Sequence, residues 1–152
     1  MHAGGCECGF VRYRLVSDPI FVNCCHCGMC QRASGSAFAI NAMIEADRVE
    51  VTSEGVPETV VTETGAKGER CPRCGIELWA YHRMFGDGLR FVRVGTLDES
   101  GSVEPDAHFF VSRKRPWVQV PAGAPSFAEL PGEGEEGWPP EVQSRVRAAV
   151  EG

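Results

Sequence analysis

Residues 1–120 read as short strands broken by turns, and two segments show the two-residue apolar–polar period of a half-buried β-strand. In Val11-Arg12-Tyr13-Arg14-Leu15 the apolar positions alternate with arginines, and Arg48-Val49-Glu50-Val51-Thr52 repeats the pattern. A turn over Ser53-Glu54-Gly55-Val56-Pro57 leads into Thr59-Val60-Val61-Thr62. Residues 37–44 form a longer apolar run carrying Phe38, Ile40 and Met43, and residues 76–81, 89–94 and 107–112 complete the predicted strands. Their β-branched and aromatic content favours strands over helices. Gly, Pro and Asp punctuate the chain at short intervals, so short loops and a mainly β fold are expected. No repeat of solenoid length is present, although two Cys-x-x-Cys units recur.

Beyond residue 120 the pattern changes. Residues 121–125 begin and end on proline and break regular structure, and Ser126-Phe127-Ala128-Glu129-Leu130 suits one helical turn before Pro131. The acidic run Gly132-Glu133-Gly134-Glu135-Glu136-Gly137 reads as a flexible linker. A short helix is predicted from Pro140, since proline suits a first turn, with Val142, Val146 and Val150 forming one apolar stripe. That stripe is expected to dock on the body or on a partner subunit. The expected organisation is one domain over residues 1–120 and a C-terminal extension over residues 121–152.

A chain of 152 residues can bury a real core, and 43% apolar with 24% charged residues is the balance of a soluble globular protein. The formal net charge of −6 argues against a nucleic-acid partner and gives no general attraction to anionic membranes. Met1-His2-Ala3-Gly4-Gly5 lacks the basic region and apolar core of an export signal, and no apolar run approaches a transmembrane span. A cytoplasmic location is therefore expected, and there eight cysteines are better explained by metal ligation than by disulfides.

The cysteines fall into three groups: Cys6-Glu7-Cys8 before the first predicted strand, the cluster Cys24-Cys25-His26-Cys27-Gly28-Met29-Cys30, and Cys71-Pro72-Arg73-Cys74-Gly75. In a Cys-x-x-Cys-Gly turn both sulfurs can reach one ion, and the glycine supplies the positive φ that the turn needs. Zinc favours four such soft donors in a tetrahedron. A redox Cys-x-x-Cys would open a helix in a βαβ unit, which this pattern lacks. Spacing alone leaves two partitions open. Either the two Cys-x-x-Cys turns share one zinc, or Cys6 and Cys8 join Cys71 and Cys74 and leave Cys25, Cys27 and Cys30 together. Four ligands make a closed, structural site, whereas three leave a position open for reaction. In extended backbone Cys25 and Cys27 share a side, and Cys24 and His26 share the other. Cys24 is therefore expected to be a buried small residue outside the metal set. His26 is a fourth ligand, a donor behind the ligands, or a packed histidine.

These residues carry a family pattern. Gly5-Cys6-Glu7-Cys8-Gly9-Phe10-Val11-Arg12-Tyr13 resembles the opening of the glutathione-dependent formaldehyde-activating enzyme family, also called the centromere protein V domain family. Cys25-His26-Cys27-Gly28-Met29-Cys30-Gln31-Arg32-Ala33-Ser34-Gly35-Ser36 is similar to its second motif and Cys71-Pro72-Arg73-Cys74-Gly75 to its third. Gly95-Thr96-Leu97-Asp98, Ala107-His108-Phe109 and Arg115-Pro116-Trp117 resemble its later signatures, so the likeness runs over residues 4–118 in the expected order. Arg70 stands where the family commonly has an aromatic, and the tail after residue 130 lies outside the pattern.

The resemblance implies a zinc-bearing, mostly antiparallel β-tent, here with a small C-terminal helix. It also implies two zinc ions per chain: a structural one on Cys6, Cys8, Cys71 and Cys74, and a catalytic one on Cys25, Cys27 and Cys30. A zinc with three thiolates is a poor activator of water but a good acceptor of a fourth soft ligand, and a metal-bound thiol is held as the nucleophilic thiolate. The implied function is carbon–sulfur lyase chemistry of the S-(hydroxymethyl)glutathione synthase kind. A small-molecule thiol such as glutathione adds to a small aldehyde such as formaldehyde, and the reverse reaction breaks the bond. Arg32 beside the cluster is the candidate for the thiol's carboxylate, with Arg113-Lys114-Arg115 as a second. A solvated surface role is the alternative for both. Trp79 and Trp117 are expected in the core or at a rim. The competing function is a non-catalytic zinc module for a protein partner, although the acidic tail does not suit a chromatin partner. A methionine sulfoxide reductase would need a late nucleophilic cysteine, and none follows Cys74.

Overall fold

The computed structural model describes residues 1–131 and 138–152. The linker expected at residues 132–137 lies outside the described residues. In chain order the strands are β1 (His2–Gly5), β2 (Arg12–Leu15), β3 (Phe21–Cys25), β4 (Ala39–Glu45), β5 (Val49–Val51), β6 (Glu58–Val61), β7 (Lys67–Arg70), β8 (Glu77–His82), β9 (Gly86–Arg93) and β10 (Ala107–Phe109). Helix α1 (Gly28–Ser34) follows β3, and α2 (Pro140–Glu151) is near the C-terminus. The fold is mainly β, in two sheets. A three-stranded antiparallel sheet has the order β1-β2-β5, and a seven-stranded sheet has the order β10-β3-β4-β9-β8-β7-β6. Every pairing in the larger sheet is antiparallel except β10 with β3, which is parallel and sets His108 opposite Cys24.

The alternating side chains of the larger sheet feed two apolar clusters. One lies between the sheets, where Tyr13, Leu15, Val22, Ala42, Ile44, Leu78, Trp79 and Val92 pack together. The other lies on the opposite face, where Phe21, Met43, Leu89 and Phe109 are covered by Trp138, Val142, Val146 and Ala149. Strand β4 contributes to both clusters, which explains why residues 37–44 read as a continuous apolar run. Of the valine stripe on α2, Val142 is buried and Val146 packs on the same cluster, whereas Val150 is exposed. The helix docks on the body, and Arg145 joins it there to Glu45 at 2.7 Å.

Several elements differ from expectation. Residues 126–130 make no helical turn. Flanked by Pro125 and Pro131, they bridge β10 at Ser126 and then bend over residues 128–130 beside the turn after it, where the Phe127 N–H donates to the His108 carbonyl at 2.9 Å and the Val111 N–H to the Phe127 carbonyl at 3.1 Å. The strand expected over residues 107–112 stops at Phe109, because Phe110 takes the left-handed conformation at φ 57° and a 3-10 turn, Val111–Arg113, follows. Strands β1, β3 and β7 and helix α1 lacked a sequence signal. β1 and β7 are short and glycine-bearing, and α1 buries none of its residues, so it has no apolar stripe.

Candidate metal centres

Two turns bring the first cysteine set together. Cys6 follows β1, and its N–H donates to the Val11 carbonyl at 3.0 Å. Gly9 closes that turn with φ 75°. Between β7 and β8 the Cys71 N–H donates to the Ile76 carbonyl and the Gly75 N–H to the Cys71 carbonyl, each at 2.9 Å, and Gly75 also takes φ 75°. A side chain with Cβ would be strained at both glycines. Arg73 from one turn stacks on Phe10 from the other, 3.8 Å from the ring centre. The sulfurs of Cys6 and Cys8 are 3.6 Å apart, those of Cys8 and Cys71 3.7 Å apart, and all four including Cys74 lie within 4.8 Å of one another. Thiolates bound at zinc–sulfur lengths in a tetrahedron stand about 3.8 Å apart, so this donor set fits a closed thiolate site. Backbone N–H groups of Ile76 and Cys8 pull the Cys74 thiol down to about 6, towards the charged form that a metal needs. Of the two partitions that spacing left open, the structure forms this one and does not bring the two Cys-x-x-Cys turns together.

The second set sits where β3 ends and α1 begins. Cys25 is the last residue of β3, Cys27 caps α1 by accepting the Cys30 N–H at 3.4 Å, and Cys30 lies one turn on. Their sulfurs are mutually within 4.8 Å, and no fourth Cys, His, Asp or Glu among the described residues joins them. Cys25 is buried, while Cys27 and Cys30 keep partial contact with solvent. Hydrogen bonds from the thiols of Cys25 and Cys30 hold Cys27 far below the usual thiol range, and the same contact with Cys27 pushes Cys25 up. A divalent ion held by these three sulfurs would take all three as thiolates. The hydrogen bond with Cys25 is outweighed by contact with Cys27 and by burial, which leave the Cys30 thiol above its ordinary value, while Arg93 is held by Glu77 at 2.5 Å and by Asn41.

Cys24 and His26 face the other way, as strand alternation requires. The sequence did not foresee their third companion, His108. The His26 Nε2 lies 3.1 Å from the His108 Nδ1 and 3.7 Å from the Cys24 sulfur. Burial pushes the Cys24 thiol up to about 12 and keeps both histidines below their ordinary value. His26 is fully buried with its Nδ1 unpartnered. Metal-binding histidines ordinarily anchor their second nitrogen, so this trio fits a neutral hydrogen-bonded cluster better than a third metal site. His26 therefore stands behind the second cysteine set rather than within it.

Arg32 lies on the exposed side of α1, its Nη1 donating to the Gly28 carbonyl at 3.2 Å. With Gln31, Ser36, Ala37, Arg115 and Trp117 it lines an open cleft of about 580 Å³. Trp79 is buried in the core edge-on to Tyr13, with ring centres 5.5 Å apart, whereas Trp117 is 75% exposed.

Residues 1–113 match the family model described as glutathione-dependent formaldehyde-activating enzyme. A protein of Halomonas elongata, provisionally named as such an enzyme, is 30% identical over 147 residues, covering 89% of this chain and 92% of its own. A Penicillium rubens protein with the same provisional name is 35% identical over 120 residues, covering 72% of this chain and 62% of its own. The chain thus spans less than two thirds of that fungal relative. Among solved structures, a Rhodobacter sphaeroides protein superposes with a TM-score of 0.51 at 25% identity, covering 68% of this chain and 91% of that one.

Proposed function

Because this chain belongs to the glutathione-dependent formaldehyde-activating enzyme family, we propose that it is a zinc-dependent carbon–sulfur lyase, adding a thiol such as glutathione to a small aldehyde such as formaldehyde, and reversing that addition. The observation that carries the reading is the contrast between the cysteine sets: four sulfurs close one, and three make up the other. Cys6, Cys8, Cys71 and Cys74 would hold a structural zinc and Cys25, Cys27 and Cys30 a reactive one, two per chain. When bound to the three-cysteine set, zinc supplies a soft acceptor that keeps an incoming thiol as thiolate.

The chain's own residues supply the rest. The Cys27 cap fixes α1 against the end of β3, so the three sulfurs are held in place before substrate arrives. Buried Cys25 closes the inner side, while the partial exposure of Cys27 and Cys30 leaves the approach on the outer side. In the addition the thiolate sulfur bonds to the carbonyl carbon, the carbonyl electron pair moves to oxygen, and that oxygen takes a proton from water.

The test is the initial rate of hemithioacetal formation from formaldehyde and glutathione, set against the uncatalysed rate. Wild type should exceed background and Cys27→Ser should return to it, with zinc content falling from two equivalents to one. Absence of any rate above background, together with no saturable thiol binding by calorimetry, would overturn the reading and leave a non-catalytic zinc module as the leading account.

A further inference from the structure

Helix α1 sets two of the three sulfurs of the second cysteine set in a particular relation. Cys27 caps the helix and Cys30 lies one turn on, its N–H donating to the Cys27 sulfur at 3.4 Å. Helical geometry puts residues one such turn apart at about 5 Å between Cα atoms. That distance falls inside the window of about 4.4–6.8 Å that a disulfide needs. Cys25 and Cys27 are two residues apart along near-extended backbone, at about 6.6 Å and the far edge of the window. Of the three sulfurs, which all lie within 4.8 Å of one another, Cys27 and Cys30 are therefore the pair best placed to join.

The surroundings favour the same pair. Cys27 and Cys30 keep contact with solvent, whereas Cys25 is buried at the end of β3. Between the two, Gly28 has no side chain and Met29 is 57% exposed. Helix α1 buries none of its residues, so a bond within its first turn disturbs no core packing. The first cysteine set repeats the spacing in Cys71 and Cys74 but not these circumstances. Cys71 is fully buried, and its sulfur meets that of Cys8 from a turn 63 positions away. Withdrawing ligands there undoes a joint between distant segments. The second set runs only from Cys25 to Cys30, and withdrawing Cys27 and Cys30 from it undoes none.

We propose that Cys27 and Cys30 are an oxidation site for small hydroperoxides, closing a disulfide that empties the second metal centre and leaves the first one filled. The inference rests on the ligand partition of the proposed function and not on the thiol addition itself. One sulfur of the pair attacks the peroxide: an S–O bond forms, the O–O bond breaks, and the departing oxygen takes a proton and leaves as water or alcohol. The other sulfur then attacks the sulfenic sulfur: an S–S bond forms, the S–O bond breaks, and the hydroxide leaves with a second proton as water. Two thiolates lose two electrons and the peroxide gains them. Cys25 is then the one ligand left, short of the three or four protein donors that zinc sites use. Two molecules of a low-molecular-weight thiol reverse the bond by exchange, becoming a disulfide themselves. The thiol of the proposed addition would thus also restore the site.

The experiment treats the zinc-loaded protein with graded hydrogen peroxide and needs no turnover. Released zinc is followed with a chromogenic chelator and free thiols with a chromogenic disulfide. Linkage is read by mass mapping of the unreduced tryptic peptide 15–32, which holds Cys24, Cys25, Cys27, Met29 and Cys30. One zinc equivalent should leave for every two thiols lost, the peptide should lose two hydrogens in a Cys27–Cys30 bridge, and the melt should stay cooperative. Dithiothreitol followed by zinc should restore both counts. Cys25→Ser keeps the pair and should close the same bridge. Cys30→Ser should not, and dimedone should trap its Cys27 sulfenic acid. A wild-type bridge through Cys25, loss of both zinc equivalents together, or oxygen added to Met29 with zinc and thiols intact would each overturn the proposal. Zinc confined to the first set before any oxidant is added would overturn it together with the ligand partition. A protein that oxidises as expected but never accelerates thiol addition would support this site and overturn the proposed activity alone.

Discussion

Replacing Cys74 by serine isolates what the first cysteine set contributes. Cys74 is exposed and apolar packing does not depend on it, so serine there loses no core contact and buries no unpaired hydroxyl. Any large effect must then come from the shared ligand site. That site joins the turn after β1 to the turn before β8, and the Cys8 and Cys71 sulfurs that meet at 3.7 Å are separated by 63 positions. In the chain-entropy treatment of a cross-link, closing a loop of that length is worth about 4 kcal/mol. Structural zinc adds its own binding energy, about 10–16 kcal/mol in small zinc peptides, against a total stability of roughly 5–15 kcal/mol for a domain. Even the entropic part alone lowers Tm by about 8–16 °C in a chain of this size. The second set spans only Cys25 to Cys30 and cross-links no distant segments, so Cys30→Ser should lose one zinc equivalent with a far smaller fall in Tm. The assay is a thermal melt followed by circular dichroism, with zinc measured on the same samples. A Cys74→Ser protein that keeps two equivalents of zinc and melts within about 2 °C of wild type would refute the reasoning. So would equal destabilisation by the two variants.

Three further outcomes follow from the packing and the site. Gly88→Ala should destabilise by about 1–3 kcal/mol, because a Cβ there would stand 2.0 Å from the Ala149 carbonyl oxygen and push α2 off the sheet. Its mark would be a lower Tm with faster proteolysis near the C-terminus. His108→Ala should cost about 1–3 kcal/mol by leaving the buried His26 without its ring partner, yet zinc content should stay the same. A lost zinc equivalent would instead make the histidine pair a metal site. Acidification should release zinc, since both sets bind as thiolates that protons compete for, and stability should fall as the metal leaves. Zinc retained well below the thiolate range would count against cysteine ligation.

The sequence by itself determined the periodic parts of this protein. Alternation at residues 11–15 and 48–52, and β-branched and aromatic content at residues 76–81 and 89–94, mark strands because both are local properties of the chain. Pro140 and the valines after it likewise marked α2. Cysteine spacing also named the two turns able to present paired sulfurs, because each turn is closed by its own backbone hydrogen bonds and its own glycine. Spacing could not say which turn meets which, since that depends on how β1 and β7 are placed in two different sheets. Helix α1 has no apolar stripe because none of its residues is buried, and the conformation of residues 126–130 is set by hydrogen bonds to β10 and the turn after it, which are distant in sequence. The meeting of His26 with His108 needed the one parallel strand pair, which puts Cys24 and His108 in register. Arg32 was visible as a basic residue beside the cysteines, but its convergence with Arg115 and Trp117 was not. Only tertiary structure lays the turn after β10 against α1, because the hydrogen bonds of Gln31 that hold them together join backbone segments no local pattern connects.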